Sequence, residues 1–290
     1  MDVGWIGLGA MGMPMATCLV NAGFRVIGFD ADPGRTAMFE GESSGSIAAA
    51  ALMADVLAVM VATPDQLEAV LFGPDGAAAS LRAGAVVLVM ATVGVDCIEQ
   101  TAQRLATRSV DVVDAPVSGG VTRARAGDLL FMVSGPQPAR EHTRALIEVM
   151  ARESADFGDH PGDAQKAKLV NQLLCGVHIA VAGEALAFAE ALGLDMQQCW
   201  SALRSGAATS FMFEDRGARM VAGTYDDVRS ALGIFVKDLG LVTAEAASCG
   251  QRAEIAEAAY RAFLDGKDSG LIARDDSIVL EVMRARREWT

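Results

Sequence analysis

Cysteine and histidine are scarce in this sequence, five and three in 290 residues. The cysteines, at 18, 97, 175, 199 and 249, are odd in number and form no Cys-x-x-Cys pair. Neither a disulfide framework nor a structural zinc site is expected, and a reducing compartment, the cytoplasm, is the expected setting. Positive charge is also in short supply: 24 Lys and Arg stand against 37 Asp and Glu, for a net charge of −13. A surface of that sign repels nucleic-acid phosphate and anionic lipid, so neither is expected as a general partner. A local basic pocket for a small anion is still compatible with it. Long apolar runs are missing too. The longest, residues 47–62, is interrupted by Asp55 and falls short of the ~20 apolar residues of a membrane span. The opening MDVGWIGLGAMG has no basic stretch followed by a long apolar one, so it is not expected to be a signal peptide.

What is present suits a globular protein of about two domains. Hydrophobic residues make up 52% of the chain and charged residues 21%, enough to bury a large core. The first half alternates β-branched runs with helical patterns. Val3–Ile6, Arg25–Phe29, Val56–Val61, Val86–Met90, Val110–Val113 and Leu129–Val133 read as strands, most of them apolar at successive positions. Met15–Ala22, Asp65–Leu71 and Cys97–Ala106 read as helices between them. Such alternation implies right-handed βαβ units and a doubly wound parallel sheet. Beyond about Asp156 the pattern becomes helical, with no proline from Asp163 to Leu192. A helix of that length spans about 45 Å, too long for one face of one small domain, and reads as an interdomain helix. The expected fold is α/β: a Rossmann-type doubly wound domain over 1–161, then an all-α domain over 162–290. Turns are expected at Gly193, Gly206, Gly223, Gly250 and Gly266.

Gly7-Leu8-Gly9-Ala10-Met11-Gly12 is a GxGxxG motif directly after the first strand and opening a helix. In that setting it reads as a dinucleotide turn. Gly7 permits the tight turn, Gly9 lets the backbone approach a pyrophosphate, and Gly12 allows close helix–strand packing. The phosphates then meet N–H groups at a helix N-terminus. Asp30 ends the second strand and is followed by Ala31. A carboxylate there accepts bonds from ribose hydroxyls and repels a 2′-phosphate, which favours NAD over NADP. The alternative has Asp30 capping a loop and Arg35 meeting a phosphate.

Asp114-Ala115-Pro116-Val117-Ser118-Gly119-Gly120 follows a strand at the edge where open α/β sheets bind ligands. The Ser118 hydroxyl and the Gly119 and Gly120 N–H groups can hold a carboxylate, unless the segment is an ordinary Gly-Gly turn. Lys168 lies early in the long helix, with Asn171 and Gln172 on its face three and four residues on. Burial and a cationic neighbour can tune such a lysine for acid/base work, although a lone lysine at a helix end is more often solvated.

Taken in order, GLGAMG, DAPVSGG at 114–120 and the Gly-Lys-Asn pattern at 162–171 resemble the β-hydroxyacid dehydrogenase family, over nearly the whole chain. That family includes 3-hydroxyisobutyrate dehydrogenases and tartronate semialdehyde reductases. The resemblance implies an NAD-dependent oxidoreductase of small hydroxy acids. It implies that Ser118, Gly119 and Gly120 hold the substrate carboxylate and that Lys168 is the general acid/base. It also implies that Thr63, Pro64 and Thr92 lie along the cofactor, and that Lys237 closes over nicotinamide and substrate. Many members carry two asparagines where this chain has Asn171-Gln172. That pair, with SFMFEDR at 210–216 and IFVKDLG at 234–240, is similar to the L-threonate dehydrogenase branch. Gln172 is then expected to reach a differently placed substrate hydroxyl. The helical half implies a homodimer or homotetramer. Two rivals stand beside this reading: an imine reductase, which usually lacks the lysine, and a catalytically silent dinucleotide-binding scaffold.

Overall fold

In the computed structural model, which describes residues 1–286, the apolar runs of the first half form one parallel sheet. Residues 287–290, the end of the expected second domain, lie outside the described residues. The elements in order are β1 (Asp2–Ile6), α1 (Gly12–Asn21), β2 (Arg25–Phe29), α2 (Pro33–Met38), β3 (Glu42–Ser43), α3 (Ile47–Leu52), β4 (Val56–Val59) and α4 (Pro64–Phe72). There follow β5 (Val86–Val89), α5 (Val95–Ala106), β6 (Asp111–Asp114), β7 (Val117–Ser118), α6 (Gly120–Ala126), β8 (Leu129–Val133), α7 (Gln137–Met150) and β9 (Ala151–Asp156). Six strands pair in the order β3-β2-β1-β4-β5-β6, every pair parallel. The chain reverses direction of travel between β1 and β4, so the carboxyl ends of these two strands mark the topological switch point.

The unbroken apolar runs have a direct physical reading. On β4 and β5, Val56, Ala58, Val86 and Leu88 enter one hydrophobic core. The alternate residues Leu57, Val59, Val87 and Val89 enter the other, on the opposite face. A strand covered by helices on both sides must be apolar at every position.

The run at Leu129–Val133 is a strand, as expected, but belongs to a second sheet. There β7 pairs antiparallel with β8, and β8 pairs parallel with β9. Ala115-Pro116 lets the chain leave β6 and turn into β7, and a bridge between Asp114 and Ser134 joins the two sheets. β9 has no apolar run at all. Its sequence, ARESAD, is mostly exposed and is held as a strand by its pairing to β8.

The long helix α8 runs Asp163–Ala191, close to its expected span. The chain divides into two compact units, Met1–Lys168 and Leu169–Thr290, with α8 crossing the division. α8 is long and apolar enough to cross a membrane by length and composition, and half of its apolar window is buried in the protein. The second unit continues with α9 (Met196–Leu203), α10 (Phe211–Ala222), α11 (Leu232–Ser248), α12 (Glu254–Asp268) and α13 (Val279–Ala285). Gly266, expected at a turn, lies inside α12. A side chain there would stand 2.8 Å from Leu232 on α11, so the glycine permits close helix packing and the break comes at Gly270. A buried ion network secures this unit. The Arg216 guanidinium donates to the Asp276 carboxylate at 3.0 Å, and Arg219 pairs with Asp275 and with Asp215. Asp275 and Asp276 are fully buried.

Candidate active site

The glycine turn sits at the switch point. The Gly7 N–H donates to the Phe29 carbonyl at 2.9 Å, and the buried Trp5 indole donates to the Gly7 carbonyl at 2.9 Å. A Cβ on Gly7 would lie 2.3 Å from the Met60 carbonyl oxygen, and one on Gly12 would lie 1.9 Å from the Gly7 oxygen. Both positions therefore exclude any side chain. α1 begins at Gly12 with no side-chain cap and no acid in its first turn. The helices α2, α3 and α4 are each capped, by Asp32, Ser46 and Thr63. The α1 N-terminus, flanked by Gly9, Ala10 and Met11, is thus the one of these four that no side chain caps, and its positive dipole end faces an outside anion. A dinucleotide pyrophosphate fits that seat.

Asp30 follows β2 and turns back to the glycine turn. Its carboxylate accepts from the Leu8 N–H at 2.7 Å and from the Asp32 N–H at 2.8 Å. Arg35 lies 3.8 Å from Asp30, and its guanidinium is 3.6 Å from where a Gly9 Cβ would be. A cation therefore stands beside the turn. Thr63 caps α4 by accepting from the Gln66 N–H at 3.1 Å, with Pro64 as the first helical residue. The Gln66 side chain returns to the Ala62 N–H at 2.8 Å, so this loop is rigidly framed.

Lys168 is only 6% exposed, and its ammonium donates to the Val117 carbonyl at 2.8 Å. The structure thus brings it to the residue beside Ser118. Lys166, by contrast, is exposed and paired with Asp163. Ser118 ends β7, Gly119 has φ 142°, and Gly120 has φ 75° with no atom within 4 Å of where its Cβ would be. Thr92 is half-buried on the loop between β5 and α5.

Two residues in this region were not singled out by the sequence. Asp114 ends β6 fully buried, and Gln165 lies on α8 three residues before Lys168, also fully buried. The Asp114 carboxylate accepts from the Gln165 side chain at 2.7 Å, the Gln165 backbone N–H at 3.0 Å and the Gly162 N–H at 3.1 Å. Burial pushes its pKa up to about 6 against these donors, which favour the ionised form. The Gln165 amide in turn accepts from Val93 and Gly94 and donates to the Ala91 carbonyl. The signal available in the sequence was an acid directly after the apolar pair Val112-Val113, and a glutamine on a largely apolar helix.

In the second unit, Asn171, Gln172 and Lys237 meet around Asp238. Gln172 is buried, donates to Asp238 and accepts from the Asn171 amide at 2.8 Å. Lys237 pairs with the other Asp238 oxygen at 2.7 Å. Both ends of the Gln172 amide are therefore engaged within the protein. Asp238, itself 1% exposed, is a third residue that the sequence did not mark.

Residues 2–158 match the family model described as the NAD-binding domain of 6-phosphogluconate dehydrogenase. Residues 162–283 match that of the NAD-binding region of NADP-dependent 3-hydroxyisobutyrate dehydrogenase. L-threonate dehydrogenase of Cupriavidus necator is 37% identical, covering 97% of this chain and 95% of that one. 2-Hydroxy-3-oxopropionate reductase of Escherichia coli is 32% identical, covering 83% and 82%. The crystal structure of a 3-hydroxyisobutyrate dehydrogenase from Salmonella typhimurium superposes with a TM-score of 0.92 at 34% identity, covering 97% of this chain and 99% of that one. The glycine turn, the open α1 N-terminus, the buried Lys168 and these relationships agree: the chain belongs to the β-hydroxyacid dehydrogenase family and is an NAD-binding oxidoreductase of the 3-hydroxyisobutyrate dehydrogenase type.

Proposed function

We propose that this enzyme oxidises the hydroxyl of a small sugar acid such as L-threonate with NAD, and that Lys168 is its general acid/base. The observation that carries the reading is the buried Lys168 ammonium, 2.8 Å from the Val117 carbonyl beside Ser118-Gly119-Gly120. The Ser118 hydroxyl and the Gly119 and Gly120 N–H groups hold the substrate carboxylate. Lys168, as the neutral amine, takes the hydroxyl proton. Bound nicotinamide, in its oxidised form, supplies the acceptor for the hydride leaving the carbinol carbon. Gly7, Gly9, Ala10, Met11 and Gly12 seat the pyrophosphate, Asp30 takes the ribose hydroxyls, and Thr63, Pro64 and Thr92 flank the cofactor. Asn171 orients substrate hydroxyls, with Gln172 acting through it, and Lys237 adds positive charge.

The Ser118 hydroxyl and the Asn171 amide offer polar partners to the further hydroxyls of a polyhydroxylated acid. Relatives named L-threonate dehydrogenase, 34–37% identical over nearly the full chain, support that choice. The test is kcat/KM with NAD for L-threonate, L-serine, D-glycerate and 3-hydroxyisobutyrate. L-threonate is expected to lead, and a tenfold advantage for 3-hydroxyisobutyrate would refute the sugar-acid assignment.

The same reading includes assembly and setting. Val170, Leu174, Val181 and Phe188 are exposed on α8 at spacings that repeat every four or seven residues, an apolar stripe suited to a second copy of the chain. A homodimer or homotetramer is the expected form, and a 30 kDa species in light scattering at micromolar concentration would contradict it. A chain with five cysteines and no Cys-x-x-Cys pair suits the cytoplasm.

A further inference from the structure

Every hydrogen-bonding position of the Gln165 amide is filled. Its Oε1 accepts from the Val93 N–H at 3.1 Å and the Gly94 N–H at 3.2 Å. Its Nε2 donates to the Ala91 carbonyl at 3.0 Å and to Asp114 Oδ1 at 2.7 Å. Two donors meet one end and two acceptors the other, so only one orientation of the amide is satisfied. These contacts bracket Thr92 from both sides. Asp114 Oδ2 meanwhile takes the N–H groups of Gly162 and Gln165, and Ser134 Oγ takes that of Ala164 at 3.0 Å. The first turn of α8 is thus capped by side chains 30 to 51 residues away in sequence.

We propose that Asp114 and Gln165 are positioning residues: a polar latch that sets the start of α8, and with it Lys168, in register with the Thr92 loop and the Val117–Gly120 segment. The proposal rests on reading Lys168 as the general acid/base. Lysine is long and flexible, so where its amine lands depends on the rotation and height of the helix that carries it. A misplacement of about 1 Å at a reacting group can cost on the order of a hundredfold in rate. Packing alone could be achieved by an apolar side chain. A buried network in which each polarity is matched specifies a single arrangement instead.

The matched polarity suggests a reciprocal swap. Asp114→Asn sets an amide N–H against the Gln165 N–H, or turns one onto the α8 backbone donors. Gln165→Glu sets a carboxylate against the Asp114 carboxylate. In the double variant the amide introduced at position 114 donates to the carboxylate introduced at position 165. The oxygen of that amide still accepts from α8, so the 114–165 link of the latch returns, while the Ala91 carbonyl is left facing a carboxylate oxygen instead of its donor. Each single variant is expected to lose tenfold to a hundredfold in kcat, on the order of a small displacement of the base. The double variant should recover about tenfold over the worse single variant, the signature of coupled neighbours, and stay short of wild type because the Ala91 carbonyl has lost its donor. KM for the hydroxy acid and Kd for NAD should hardly move.

A double variant no better than the worse single one overturns the latch, as does a loss confined to NAD affinity. Should a single variant not fold, hydrogen exchange in the wild-type enzyme decides. The Val93 and Gly94 amides are expected to be among the slowly exchanging ones, and rapid exchange there overturns the proposal. Lys168→Met, assayed in parallel, separates the two readings. If it keeps wild-type turnover, the base assignment fails. If it is inactive while the swap has no effect, the latch alone fails.

Discussion

Replacing Gly12 by alanine tests the dinucleotide turn most directly. The new Cβ would lie 1.9 Å from the Gly7 carbonyl oxygen and 3.3 Å from the Trp5 indole nitrogen. An ordinary non-bonded contact needs roughly 3.5 Å, so Gly7 and Gly12 must part by well over 1 Å. That movement pulls the Gly7 oxygen away from the Trp5 indole, which is fully buried and has donated to it at 2.9 Å. A buried N–H left unpaired costs about 1–3 kcal/mol. Overpacking of the strand–helix junction adds about 1–3 kcal/mol. At roughly 2–4 °C per kcal/mol for a domain of this size, melting should fall by about 5–20 °C. Gly23→Ala is the control: Gly23 has φ 88° and nothing within 4 Å, so it meets only the left-handed backbone penalty of about 1–2 kcal/mol. Circular dichroism melts and calorimetric titration with NAD read both effects. The Gly12 variant should also bind NAD at least about tenfold more weakly, because the displaced turn is the phosphate seat. If it melts with the Gly23 variant and binds NAD as wild type does, the steric reasoning is wrong.

Lys168→Met should lower kcat by on the order of 10²–10⁴ with NAD affinity little changed, as loss of a positioned acid/base does. Steady-state kinetics with calorimetric NAD binding check this, and wild-type turnover removes the lysine from the mechanism. Asp30→Ala should narrow the preference for NAD over NADP by about tenfold or more, because it removes the carboxylate that repels a 2′-phosphate and leaves Arg35 with Asp32 as its remaining acidic neighbour. A wild-type enzyme that prefers NADP would overturn that argument. Asp114 offers a pH test. Burial raises its folded pKa to about 6, above the unfolded value, so its contribution to stability is present below about pH 4 and is lost as pH rises through 6. Wild type should therefore lose on the order of 3 kcal/mol relative to Asp114→Asn between pH 4 and pH 7, one pH unit of displacement being worth about 1.4 kcal/mol. Urea titrations of both proteins measure the difference, and one constant with pH would mean that Asp114 does not titrate in that window.

The features legible in the sequence were those with local causes. The β4 and β5 runs announced burial on both faces because a doubly covered strand has no polar position to show. The glycine turn announced itself because its three glycines fall within six positions of one another, a pattern readable even though what bars a side chain at Gly7 is the distant Met60 carbonyl. β9 stayed hidden because nothing in ARESAD favours a strand until β8 lies beside it. Gly266 misled for the opposite reason: what demands glycine there is Leu232 on another helix. Roles for Lys168 and Ser118 came from the family resemblance, whereas Gln165 and Asp114 stayed unmarked, since their partners lie 20 to 74 residues away. The Asn171-Gln172 pair was visible, but not the turn of Gln172 towards Asp238, which depends on a carboxylate 66 residues on.

The ion network of the second unit bears on how the cell polices this protein. Arg216 and Arg219 on α10 are mostly buried, and their partners Asp275 and Asp276 are contributed about 60 residues later. Until the ribosome has delivered those two aspartates, Asp215 is the one member of the network present to neutralise both arginines. Desolvating the excess positive charge is strongly unfavourable. The nascent second unit must therefore wait, with α10 undocked, until translation is almost complete. A truncated chain ending before Asp275 would wait indefinitely, holding apolar surface open to chaperones and proteases.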